Sequence, residues 1–163
     1  MEIRVECVDG WMGTSPRCAP RPRADQTDEN LLSLLTMTDF HLGMDAWEAE
    51  TGDAWEGEMA RQVVLDSVHK MIQGSPKSEV GVLCQLGDFL HWDGMLAITP
   101  TSSHILDADT RYGKLVELAM TVMSQAVGMM LEHFGTVVVV SAEDNHDNPG
   151  STCLPTSIKH VFG

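Results

Sequence analysis

Three short apolar runs constrain this chain more than anything else in it. They are LLSLLTM at 31–37, EVGVLCQL at 79–86 and TVVVVSA at 136–142. Each is continuous rather than alternating, as in strands buried on both faces, and each is too short to be a typical helix. Two longer segments of helical periodicity separate them. Residues 53–73 carry Trp55, Met59, Val63, Val64, Val68, Met71 and Ile72 along one face. Asp53 and Glu56 have N-cap and N3 spacing, and Gly74 stands where a C′ glycine belongs. Residues 109–134 carry Leu115, Leu118, Val122, Ala126, Met129 and Met130, and stop before Gly135. The order β–α–β–α–β predicts an α/β fold with a parallel sheet covered on both faces. Ligands in such folds sit beyond the carboxyl ends of the strands.

The flanks differ from this middle. Residues 1–30 include TSPRCAPRPRADQTDEN, rich in proline and arginine, and read as a flexible lead-in. MEIRVECV at the start has the alternation of an edge strand, over few residues. Residues 31–148 form the domain, and 149–163 read as a short irregular tail.

At 163 residues the chain is long enough for one domain with a real core. Acidic residues outnumber basic ones 24 to 10, for a formal charge of −14, which excludes a broad basic surface for nucleic acid. A nuclease remains compatible, because bound divalent cations supply positive charge locally. Cys7, Cys18, Cys84 and Cys153 form no CxxC pair and have no histidine at zinc-finger spacing. Cys84 lies in an apolar run and reads as core. A reducing, cytoplasmic setting is expected, with neither a signal peptide nor a stretch long enough to span a membrane.

Each apolar run is followed by polar residues of one chemical kind. The first gives Asp39-Phe40-His41, the second Gly87-Asp88-Phe89-Leu90-His91, the third Glu143-Asp144-Asn145-His146-Asp147. Singly, each is ordinary: strand-end polar residues meeting solvent, or turn chemistry. Adjacent parallel strands put their carboxyl ends side by side, so the three together point to a shared metal site.

In this order the motifs resemble the calcineurin-like metallophosphoesterase superfamily. TDFHLG and GDFLH look most like its Mre11/SbcD nuclease branch. The resemblance spans about residues 31–148 and implies the N-terminal, parallel β-α-β-α-β half of an α/β/β/α sandwich. It implies hydrolysis of phosphodiesters, or phosphomonoesters, by a metal-activated hydroxide. Two divalent ions about 3.5–4 Å apart would serve, manganese first, with iron, zinc or nickel also suited to mixed imidazole and carboxylate ligands. On this resemblance Asp39 and His41 hold one metal, Asp88 bridges both, and Asn145 gives its amide oxygen to the second. His146 protonates or stabilises the departing oxygen, Asp147 orients its ring, and His91 contacts substrate. The substrate would be a phosphoester, with DNA or a nucleotide favoured by GDFLH.

Two features depart from the family. Asp144 stands where the family has glycine, a turn position that aspartate tolerates. The family's later histidine motifs, including Gly-His-x-His, have no counterpart in NPGSTCLPTSIKHVFG, where His160 is the lone histidine. The expectation is therefore an apparently truncated domain. Two alternatives to the enzyme stay open: a non-catalytic remnant, or an interaction module that self-associates or is completed by another chain through an uncovered sheet face. His69 and His133 read as surface or boundary residues; His104 in the Thr/Ser loop offers a substrate contact, with a bland loop residue preferred, and His160 a substitute ligand, with a solvated tail residue preferred. Trp47 and Trp92 offer either stacking on a base or packing around the site. Arg17, Arg21 and Arg23 offer phosphate contacts or mere solvation.

Overall fold

The computed structural model describes residues 2–6, 28–92, 94–99, 102–142 and 148–162. In chain order the elements are β1 (Glu2–Glu6), β2 (Asp28–Met37), the single turn α1 (Glu48–Thr51), α2 (Gly57–Gly74), β3 (Ser78–Gln85), α3 (Tyr112–Leu131), β4 (Thr136–Ser141) and α4 (Asn148–Phe162). The three expected apolar runs are β2, β3 and β4. They pair in parallel, and β1 joins β4 antiparallel, giving the order β1-β4-β3-β2. The chain is an α/β protein with a three-stranded parallel sheet at its centre.

Helices cover one face of the sheet, not both as the continuous apolar runs predicted, and the other is the uncovered face that the interaction-module alternative expected. Strand order advances steadily from β2 to β3 to β4. Right-handed crossovers then place α2 and α3 on the same side, because only a reversal of strand order sends helices to both faces. The contacts agree: α3 packs against both α2 and α4 in one layer. Burial alternates accordingly. Ser33, Leu35 and Met37, then Leu83 and Gln85, then Val137 and Val139 are buried under the helices. Their neighbours Leu32, Leu34, Val80, Val82, Cys84, Val138 and Val140 lie on the other side, exposed or half-exposed. Leu34, Val82 and Val138 form one row across that face. Among the described residues nothing covers it, so Cys84 is not in the core.

The helices differ from the sequence expectation at their ends, for identifiable reasons. Ala46 and Trp55 exchange two backbone hydrogen bonds of 2.9 and 3.0 Å, which hold residue 55 extended and delay α2 to Gly57. Asp53 therefore caps nothing. Instead Asp109 Oδ2 accepts the Gly57 N–H at 2.6 Å and satisfies an orphan donor at the start of α2. At the other end Gly74 is still helical and Ser75 turns extended, as a residue before proline must. The buried stripe of α2 is Ala60, Val64, Val68 and Ile72, while Met59 and Val63 face outward. That stripe is narrow because α2 has a helical neighbour on one side only.

α3 is the middle helix and buries Leu115, Ala119, Val122, Met123, Ala126, Val127 and Met130. By length and composition it could cross a membrane, with mean hydropathy 1.2, contrary to the expectation that no stretch approaches a span. Its position between α2 and α4 accounts for the apolar character. Beyond it, Phe134 lies over Gly81 of β3, where a Cβ would strike the ring.

Both flanks also depart from expectation. Residues 2–6 are the edge strand that the alternation of MEIRVECV suggested, rather than part of a flexible lead-in, and residues 28–30 already belong to β2. The expected irregular tail is the helix α4, despite Pro155 within it. Leu154 and Ile158 are buried and Phe162 is partly buried, an i, i+4, i+8 stripe that packs against α3, β1 and β4. Burial of that stripe outweighs poor helix propensity.

Candidate metal centre

β2 and β3 do not separate when their strands end. Leu86 N–H donates to Met37 O at 2.9 Å, Asp39 N–H to Gly87 O at 3.4 Å, and His41 N–H to Asp88 O at 3.0 Å. Leu42 N–H then donates to Phe89 O, and His91 N–H to Leu42 O, both at 2.9 Å. Leu42 of one loop and Phe89, Leu90 and Trp92 of the other are buried and anchor this zipper in the core. The polar residues between them are left on the open side.

Backbone conformation concentrates here. Asp39, His41 and Asp88 have φ of 57°, 45° and 50°, and Ser103 is the one other described non-glycine residue with positive φ. The left-handed region costs an L-residue about 1–2 kcal/mol, less for aspartate. It persists where surrounding structure over-determines it, and such residues gather at functional sites. Here the zipper and its apolar anchors do the holding. Gly43 follows at φ 91°, and a Cβ there would lie 2.8 Å from both Leu115 and Trp92.

The result is a convergent triad. One ligand atom from each of Asp39, His41 and Asp88 lies within 4.8 Å of the others. Asp39 is exposed, His41 and Asp88 are half-buried, and Asp88 Oδ1 is itself buried. Thr38 Oγ1 donates to Asp39 Oδ2 at 2.5 Å and orients that carboxylate. One imidazole nitrogen and two carboxylates suit a divalent transition metal, and their spacing fits a shared ion. His91 stands beside them, its Nδ1 3.5 Å from His41 Nδ1 and its ring perpendicular to that of His41. Burial holds the His91 pKa below its usual value, the neighbouring His41 adds to this, and Asp107 opposes it.

Of the seven site residues expected from sequence, the structure brings together Asp39, His41, Asp88 and His91. Asn145, His146 and Asp147 lie outside the described residues, as do Arg17, Arg21 and Arg23. β4 does end beside β3 on the same edge, with Ala142 N–H donating to Gln85 O at 2.8 Å. His69, His104 and His160 are exposed, and His133 is a boundary residue against Phe134. Trp47 is exposed, whereas Trp92 is 2% exposed and packs beneath the site.

No protein-family model, no curated protein and no solved structure matches the chain.

Two features near the site escaped the sequence reading. Asp107 acts on His91 electrostatically, from a loop with no motif to mark it. Arg111 and Lys114 begin α3 where acidic residues would favour the helix dipole, and that reversal was the available signal.

Proposed function

We propose that the chain is a metal-dependent phosphoesterase related to the calcineurin-like enzymes, acting on phosphodiesters. Its sheet would be the parallel half of their α/β/β/α sandwich. The observation that carries this is the convergence of Asp39, His41 and Asp88, each in left-handed backbone, at the carboxyl ends of adjacent parallel strands. Asp39 and His41 would hold one ion, Asp88 would share its two oxygens between ions, and Asn145 would hold the second. When bound, manganese or a similar ion neutralises phosphoryl charge and acidifies water. His146, oriented by Asp147, would deliver a proton to the leaving oxygen. His91 would meet a substrate oxygen, since burial beside His41 favours the neutral ring, which keeps one donor and one acceptor.

The test is hydrolysis of bis-p-nitrophenyl phosphate and short DNA with Mn²⁺, with Asp88→Asn as control, alongside calorimetric Mn²⁺ titration. Turnover above the control supports the reading. Metal uptake without turnover overturns it for the isolated chain.

One observation favours a second reading, an interaction module completed by another chain or a second copy. Leu32 and Leu34 are 57% and 60% exposed on an apolar sheet face. Large exposed apolar patches mark association sites. Size-exclusion chromatography separates the readings, because a monomer at high concentration contradicts self-association.

A further inference from the structure

Beside the triad lies a cleft of about 570 Å³, within the range of small-molecule sites. Its walls are mixed. Trp92, Met95, Ala97 and Tyr112 are apolar or aromatic, Arg111 and Lys114 are cationic, and Glu117, the ion-pair partner of Lys114, adds one carboxylate. The Trp92 ring joins it to the metal centre, lying 6.4 Å from the ring of His91, which in turn contacts His41. From this arrangement we propose that the cleft binds a nucleotide portion of a phosphodiester substrate, its base against Tyr112 and Met95 and its second phosphate at Arg111 and Lys114.

The charge distribution supports the choice. The chain has only ten lysines and arginines against 24 acidic residues. Crossover helices run opposite to the strands, so α3 begins on the edge where β2 and β3 end. Arg61 near the start of α2 is engaged by Glu58 at 2.6 Å. Arg111 makes no ion pair among the described residues. Lys114 pairs with Glu117 at 2.7 Å, but both groups are about 70% exposed, and such a pair yields readily to a phosphate. A simple phosphomonoester would use only the cationic half. A nucleotide uses both, because any base offers a face to an aromatic ring.

The inference rests on the phosphoesterase reading of the neighbouring triad, so the test separates the two. Calorimetry in EDTA measures binding of the 5′-phosphorylated thymidine dinucleotide pdTpdT to the full chain, with inorganic phosphate as comparison. The dinucleotide should bind more tightly than phosphate. Arg111→Ala and Tyr112→Ala should each weaken it about tenfold, while Arg111→Lys and Tyr112→Phe retain most of the affinity. The slope of log K against log salt should fall by about 0.7 in Arg111→Ala. Circular dichroism confirms that each variant is folded. Equal affinity for phosphate and dinucleotide, or undiminished binding by folded Arg111→Ala, overturns the proposal. Mn²⁺ titration of the same proteins should be unaffected by either alanine. Failure of the wild-type chain to take up Mn²⁺ would strike the phosphoesterase reading alone.

Discussion

His41 and His91 face each other through their Nδ1 atoms, 3.5 Å apart, with ring planes at 88°. Two imidazolium ions cannot share that spacing comfortably, and His91 is disposed to stay neutral. Burial is the larger cause and His41 the second, with Asp107 pulling the other way.

The first expectation is a pH dependence. His91 should titrate below the usual 6.5 when followed by NMR. A histidine with a lowered folded pKa binds fewer protons folded than unfolded. Its contribution is therefore fully present above about pH 6.5, and is lost as pH falls through the folded value. Denaturant midpoints should decline over that window, and His91→Gln should flatten the decline. An unchanged decline would reassign it to other groups.

The left-handed residues give a second expectation. Glycine relieves the φ strain at His41 and Asp88, and alanine retains it. His41→Gly should exceed His41→Ala in stability by about 1 kcal/mol, and Asp88→Gly should exceed Asp88→Ala similarly. All four should lose Mn²⁺ affinity. Equal stability of each glycine and alanine pair would show that no strain is stored there.

Gly43 carries the third. An alanine Cβ would press on Leu115 and Trp92 and would also sit at φ 91°. Gly43→Ala should cost about 2–4 kcal/mol in urea unfolding, from overpacking and backbone strain together. A cost under about 1 kcal/mol would mean that α3 does not press this closely on the site loop.

Adjacent leucines of β2 provide the fourth. Leu35 is 2% exposed beneath the helices and Leu34 is 60% exposed on the opposite face. Leu35→Ala should cost about 2–5 kcal/mol. Leu34→Lys should change stability by no more than about 0.5 kcal/mol and should raise solubility. Comparable losses at both positions would show that the second face is covered in solution.

Much of this protein was legible locally. The three apolar runs fell where β2, β3 and β4 lie, because strand identity is written in short runs bounded by turn residues. The residues after β2 and β3 stood out for the same reason, and parallel pairing of the two strands brought Asp39, His41 and Asp88 to one edge.

What sequence could not decide depended on partners far along the chain. A continuous apolar strand does not say which of its faces is covered. Crossover handedness and strand order decided that, leaving Leu34 open and Leu35 buried. Asp53 had the local pattern of a cap, but Asp109, 52 residues beyond Gly57, does the capping. Residues 149–163 read locally as an irregular tail, and α4 is helical because Leu154 and Ile158 find a surface to bury against. The His41–His91 contact spans 50 residues and is set by two loops zipped together beyond their strands. Local pattern thus determined which segments are strands and which residues offer ligands. Only the packed structure determined which face is buried and which side chains meet, because both depend on where distant segments dock.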